Sequence, residues 1–92
     1  MSNNTVTQDQ IMQIISESEI KVHKLGNKTT LVHAVLPNGF VITESSSCVD
    51  PANFDEVIGY EICMDRIANK IWELEGYCLQ KKVSENDKTK EA

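Results

Sequence analysis

TTLVHAVLPNGFVITE, residues 29–44, is the stretch on which the fold turns. Thr29 to Leu36 is rich in β-branched and apolar side chains, Phe40 to Glu44 continues in the same vein, and Pro37-Asn38-Gly39 lies between them. Asn-Gly is the strongest short hairpin signal, because both residues tolerate positive φ. Upstream, Glu19 to Leu25 alternates, with Ile20 and Val22 on one face and Lys21 and His23 on the other, until Gly26-Asn27-Lys28 breaks the run as a turn. Three successive strands joined by short turns predict an antiparallel meander.

Helical signals flank the meander on both sides. Thr7-Gln8-Asp9-Gln10 fits a capping box and is followed by Ile11, Ile14 and Ile15, which predicts a short amphipathic helix over 8–18. A helix of that length needs the rest of the protein to hold it. On the other side Ser45-Ser46-Ser47 reads as a polar stop and Asp50-Pro51 as a cap followed by proline at a first helical position. Asn53 and Glu56 repeat the capping signal, so the long helix starts at Pro51 or at Phe54, with room for a separate turn before it. Tyr60, Met64, Ile67, Ile71, Leu74 and Cys78 then form a stripe that carries the helix to about Gln80. A second stripe, Ile58, Ile62, Trp72 and Leu79, is interrupted by Asp65 and Asn69. From Lys81 the sequence KKVSENDKTKEA has one sizeable apolar residue, Val83, and reads as a disordered tail over 81–92. The expectation is a single α+β domain over 1–80: short helix, three-stranded meander, long helix.

Size bears on assembly. A chain of 92 residues with sparse aromatics builds only a modest core from Ile, Val and Leu. A helix of about 25 residues reaches ~37 Å, more than strands of five to seven residues can cover. Either the N-terminal helix and chain ends cover the excess, or long helices pair between two copies; the marginal core favours a homo-oligomer through the long helix.

The formal net charge is -5, and the imbalance is local. Glu44, Asp50, Asp55, Glu56, Glu61, Asp65, Glu73 and Glu75 stand against only Arg66 and Lys70 between residues 44 and 75. Such a surface repels DNA, RNA and anionic membrane, and none of these is an expected partner. The cysteines, Cys48, Cys63 and Cys78, are odd in number and lack C-x-x-C spacing, which fits neither a disulfide framework nor a zinc site and suits a cytoplasmic protein. MSNNTVTQDQ is polar and no apolar run approaches the roughly 20 residues of a membrane span.

Chemistry-bearing constellations are few. His23 and His33 fall in adjacent predicted strands without an evident third ligand, so no metal or cofactor is expected. No nucleophile motif combines Ser, His and Asp, and acids near a helix start are favoured by the macrodipole alone. Catalysis is therefore not expected. Arg66 is the chain's only arginine, and its helical neighbours at three and four steps, Ile62, Cys63, Asn69 and Lys70, include no acid. Its partner is either a group outside the helix or a bound anion, toward which Asn69 and Lys70 would also point if two helices paired.

Leu36-Pro37-Asn38-Gly39-Phe40, Cys48-Val49-Asp50-Pro51-Ala52-Asn53-Phe54-Asp55, Ile58-Gly59 and Leu74-Glu75-Gly76-Tyr77 together resemble the small tailed-phage protein family named after gene 49 of a coliphage and gene 66 of a Shigella phage. The resemblance covers about half the chain and implies a phage or prophage accessory protein acting in the host cytoplasm. More loosely, a meander followed by a long helix looks like phage sponge proteins that sequester cyclic-nucleotide or cyclic ADP-ribose signals of bacterial immunity. On that likeness Phe40 and Phe54 would stack a base, Asn53 and Asn69 would read polar edges, and Arg66 with Lys70 would neutralise phosphate. The acidity of the chain departs from what a phosphate binder favours, and suggests as an alternative an acidic inhibitor that occupies a basic, nucleic-acid-binding surface of a host defence complex.

Overall fold

A computed structural model describes residues 4–91, with side chains as far as Asn86. The order is α1 (Gln8–Ser16), β1 (Glu19–Leu25), β2 (Thr29–Val35), β3 (Val41–Ser47), a 3-10 turn (Pro51–Asn53) and α2 (Glu56–Glu91). The strands form one antiparallel sheet in the order β1-β2-β3, with Val32 paired to both Val22 and Glu44. This is the α+β arrangement that the meander and its flanking helices predict.

Local chemistry explains the boundaries. Thr7 caps α1 by accepting from the Gln10 N–H, while the Gln10 side chain accepts from the Thr7 N–H at 2.8 Å, a reciprocal capping box. In the β2–β3 hairpin Gly39 N donates to Leu36 O and Leu36 N to Phe40 O, both at 2.8 Å. Gly39 has φ +91° whereas Asn38 keeps a negative φ, so the turn is a three-residue Pro37–Gly39 loop and only the glycine uses the left-handed freedom of the Asn-Gly pair. Asn38 instead accepts from the Phe40 N–H at 3.0 Å.

Two boundaries differ from the sequence reading. Ser45-Ser46-Ser47 does not stop β3: these serines pair with Leu31, Thr30 and Thr29, and Ser47 Oγ lies 2.8 Å from Thr29 Oγ1. Ladder hydrogen bonds come from the backbone, so a partner strand in register outweighs the weak strand preference of serine. At the start of the long helix, Asp50 caps the separate 3-10 turn, and Asp55, not Asn53, caps α2 by accepting from Val57 N at 2.9 Å and Ile58 N at 3.3 Å.

The core is one layer between sheet and helix. Thr30, Val32 and Ala34 of β2 and Ile42 of β3 face Cys63, Ile67 and Ile71 of α2, with Ile11 of α1 closing one side. Gly59, Cys63, Ile67 and Ile71, four residues apart, form the buried line, while Tyr60 is 38% exposed and Met64 only partly covered. The predicted stripe is thus displaced by one residue in its first two turns, where small side chains let helix and sheet approach more closely than Tyr60 would.

Beyond Gln80 the helix continues to Glu91, into the segment that the sequence marks as a tail; that segment contains neither glycine nor proline to stop it. With 36 residues α2 is ~54 Å long, against ~23 Å for a strand of seven. The molecule accordingly measures 62 × 22 × 21 Å.

Candidate functional site

The six residues expected to bind a ligand fall into three places. Asn53 and Phe54 border a recess of about 110 Å³ between the start of α2 and the β1–β2 turn, with Lys28, Ser46, Ser47 and Cys48 around it. Phe40 lies at the other end of the sheet, beside an apolar hollow of about 370 Å³ shared with Ile14, Leu36, Ile71, Leu74 and Cys78. Gly59 in the recess and Leu74 in the hollow are fifteen helical residues apart, ~22 Å. Within one chain, therefore, Phe40 does not meet Phe54. Asn69 and Lys70 are exposed on α2 and border neither space.

Arg66 has found the partner that its own helix lacks. Its Nη1 donates to the carbonyl oxygen of Ser45 at 2.7 Å. β3 is an edge strand, so this contact ties an edge carbonyl to α2 and helps protect an otherwise open ladder.

Around the recess the sequence reading missed two cations. Lys24, on the face of β1 that looks toward α2, places its Nζ 4.7 Å from the centre of the Phe54 ring, a cation–π contact, and Lys28 borders the recess from the β1–β2 turn. The signal available in sequence was the lysine spacing across Gly26-Asn27, where a tight turn brings both ends to one edge of the sheet. Gly26 has φ +65°, which permits that turn. Asp55 also borders the recess, but its carboxylate already caps the Val57 and Ile58 N–H groups, so those helix-start donors are taken.

Thr30 forms part of the wall and is a structural oddity. It is 1% exposed and its Oγ1 has no hydrogen-bond partner. A Cβ at Gly59 would overlap that hydroxyl and come within 2.9 Å of Thr30 Cβ, so the hydroxyl is tucked beneath the glycine and turned away from the open recess. The next residue along the buried line, Cys63, sends its Sγ toward the Thr30 carbonyl oxygen at 3.8 Å, and burial pushes its thiol above the ordinary value, opposed by the charge of Arg66 and reinforced by Glu44.

The histidines do not face each other directly: His23 pairs with Leu31 and His33 with Lys21, and His33 Nδ1 lies 3.2 Å from Thr43 Oγ1. Among the described residues no group of three His, Cys, Asp or Glu is placed to hold a metal ion, and no helix is long and apolar enough to cross a membrane.

No curated protein and no solved structure matches the chain. Residues 6–83, from the segment before α1 to well into the second half of α2, match a phage family model, a wider span than the hairpin, cap and helix strings that resemble it. The chain belongs to the phage protein (N4 Gp49/phage Sf6 gene 66) family.

Proposed function

We propose that this phage protein is a non-catalytic binder that counters bacterial immunity by sequestering a nucleotide-derived second messenger, of the cyclic-nucleotide or cyclic ADP-ribose type, in the host cytoplasm. The observation that supports the reading is the meeting of Phe54, Lys24, Lys28 and Asn53 at one edge of the sheet. A nucleotide asks for an aromatic face, cations for phosphate and an amide for polar base edges, and these four side chains supply one aromatic ring, two cations and one amide. The recess itself is phosphate-sized, not nucleotide-sized, so the base would lie over Phe54 at the lip. Arg66, Asn69, Lys70 and Phe40 join such a site only where a second copy brings them to it.

Calorimetry against a panel of cyclic nucleotides and cyclic ADP-ribose isomers tests the proposal. Binding that falls about tenfold or more in Phe54→Ala and in Lys28→Ala is expected; no heat from any member of the panel removes the idea. The second reading, an acidic inhibitor of a host nucleic-acid-binding defence complex, draws on the exposed acids Glu61, Asp65 and Glu73 of α2. It predicts salt-sensitive capture of a basic host protein, and capture that survives high salt argues against it.

A further inference from the structure

Glu75 stands where an apolar residue is due. Ile71, Leu74, Glu75 and Cys78 follow one another at helical spacing and all border the large hollow, so they share one face of α2. The rest of that face is apolar, and Glu75 is half-buried in it. Among the described residues its carboxylate makes no hydrogen bond and no ion pair. Its helical neighbours at three and four steps, Ile71, Trp72, Cys78 and Leu79, include no base, and Lys82, which borders the adjoining groove, does not pair with it. Partial burial strips water from a charge, and no group of the protein compensates for the loss here.

The hollow beside that carboxylate has the size and the lining of a ligand site. At about 370 Å³ it falls within the roughly 300–1,000 Å³ of small-molecule pockets. Leu36 and Ile71, 8% and 1% exposed, border it together with Ile14, Leu74 and Phe40. An apolar cavity of about 150 Å³ holds a benzene ring, so this one has room for a ring and a short chain. Asn38 at the rim is already engaged, because its Oδ1 accepts from the Phe40 N–H, and Glu75 is the one charged side chain among the described residues around the space.

An apolar space with a single unpaired anion selects its occupant by charge. We propose that the hollow binds a small amphipathic cation, whose aromatic or aliphatic body, on the order of ten non-hydrogen atoms, packs against Leu36, Phe40 and Ile71 while its ammonium group meets the Glu75 carboxylate. A neutral molecule of the same shape leaves the carboxylate uncompensated, and an anion is repelled by it. The hollow lies ~22 Å along α2 from the recess edged by Lys28 and takes the opposite charge, so this site stands independently of the nucleotide reading.

Calorimetry of the full chain with phenylbutylamine, phenylbutanol and phenylbutyrate tests the assignment, since the three probes share a body and differ in the head. The amine is expected to saturate a single site per chain and to bind about tenfold or more tighter than the alcohol, with no saturable binding of the carboxylate. Glu75→Gln should weaken the amine to the level of the alcohol. Leu74→Trp, which fills the hollow, should remove binding altogether; Phe40→Ala, on its exposed wall, should weaken the amine and serves where circular dichroism shows Leu74→Trp to be unfolded. Equal binding of amine and alcohol, an amine affinity unchanged in Glu75→Gln, or binding untouched by the folded filling or wall variant overturns the proposal. So does failure of all three probes, which would mean that a second copy or another protein covers the hollow in solution.

Discussion

At one end of the contact between α2 and the sheet, Gly59 and Cys63 lie against Thr30 beside a small recess edged by lysine, serine and asparagine; at the other, Ile71 and Leu74 adjoin a hollow more than three times as large, walled by Ile14, Leu36 and Phe40. The same helix crosses the same sheet at both places. What changes is the side chain between the backbones: small residues close the gap at the polar end, and isoleucine and leucine hold it open at the apolar end. Close approach there brings the start of α2 down to Lys24 and Lys28, so the proposed binding chemistry depends on packing by residues that take no part in it.

The sharpest way to break that contrast is to remove bulk from the wide end. Ile71, 1% exposed and on the wall of the hollow, should cost about 2–5 kcal/mol when changed to alanine, measured by urea unfolding, because the existing hollow grows and cannot easily collapse. A loss below about 1 kcal/mol would show that α1 or the hairpin moves in to fill the space. At the close end the opposite change is expected to harm. Gly59→Ala gains about 1 kcal/mol of helix propensity but forces a methyl into Thr30, an overpacking cost of about 1–3 kcal/mol, so a net loss of up to about 2 kcal/mol is predicted. Adding Thr30→Ala, which removes Oγ1 but leaves the Cβ that lies 2.9 Å from the new methyl, should recover part of that loss, and a recovery of any size establishes the clash as a cause.

The meander and its flanking helices were legible in the sequence because turn residues and apolar periodicity are local signals. Gly26 and Gly39 punctuate the strands where the structure needs positive φ, and Thr7 with Gln10 marks the start of α1. What local signals cannot supply is the partner across a contact. Ser45-Ser46-Ser47 looks like a stop until β2 lies beside it, and Gly59 with Cys63 looks weaker than Tyr60 and Met64 as a buried line until Thr30 is found beneath them. The same limit governs the candidate site. Phe40, Asn53, Phe54, Arg66, Asn69 and Lys70 carry the right chemistry one by one, but their distribution along a ~54 Å helix and at both ends of a sheet depends on the fold. Lys24 and Lys28 escaped notice because a lysine in an alternating strand or turn ordinarily reads as solvent-facing.

Thr30 offers a smaller and oppositely signed test of the close end. Its buried hydroxyl has lost water without gaining a partner, so replacing it by the methyl of valine should stabilise the protein by about 1 kcal/mol. Because the hydroxyl is turned under Gly59 and away from the recess, affinity for any ligand bound there should not change. Destabilisation instead would mean that the hydroxyl contact with the glycine backbone is itself favourable.

The weakest expected effect also belongs to the close end and depends on pH. Cys63 is fully buried, and burial raises its thiol pKa, with Arg66 opposing and Glu44 reinforcing the shift. In the unfolded chain the thiol ionises at its ordinary value near 9.0, whereas in the folded chain it keeps its proton to higher pH. Above that value the folded state therefore binds more protons than the unfolded state, and stability falls as pH rises; below it this contribution is fully present. For one proton the slope is bounded by about 1.4 kcal/mol per pH unit. Urea unfolding under reducing conditions on either side of the thiol range should show a steeper alkaline loss in the parent than in Cys63→Ala, which lacks the titrating group. The difference between the two chains, not either curve alone, carries the result. Equal slopes would mean that water reaches Cys63 and that the close end opens in solution.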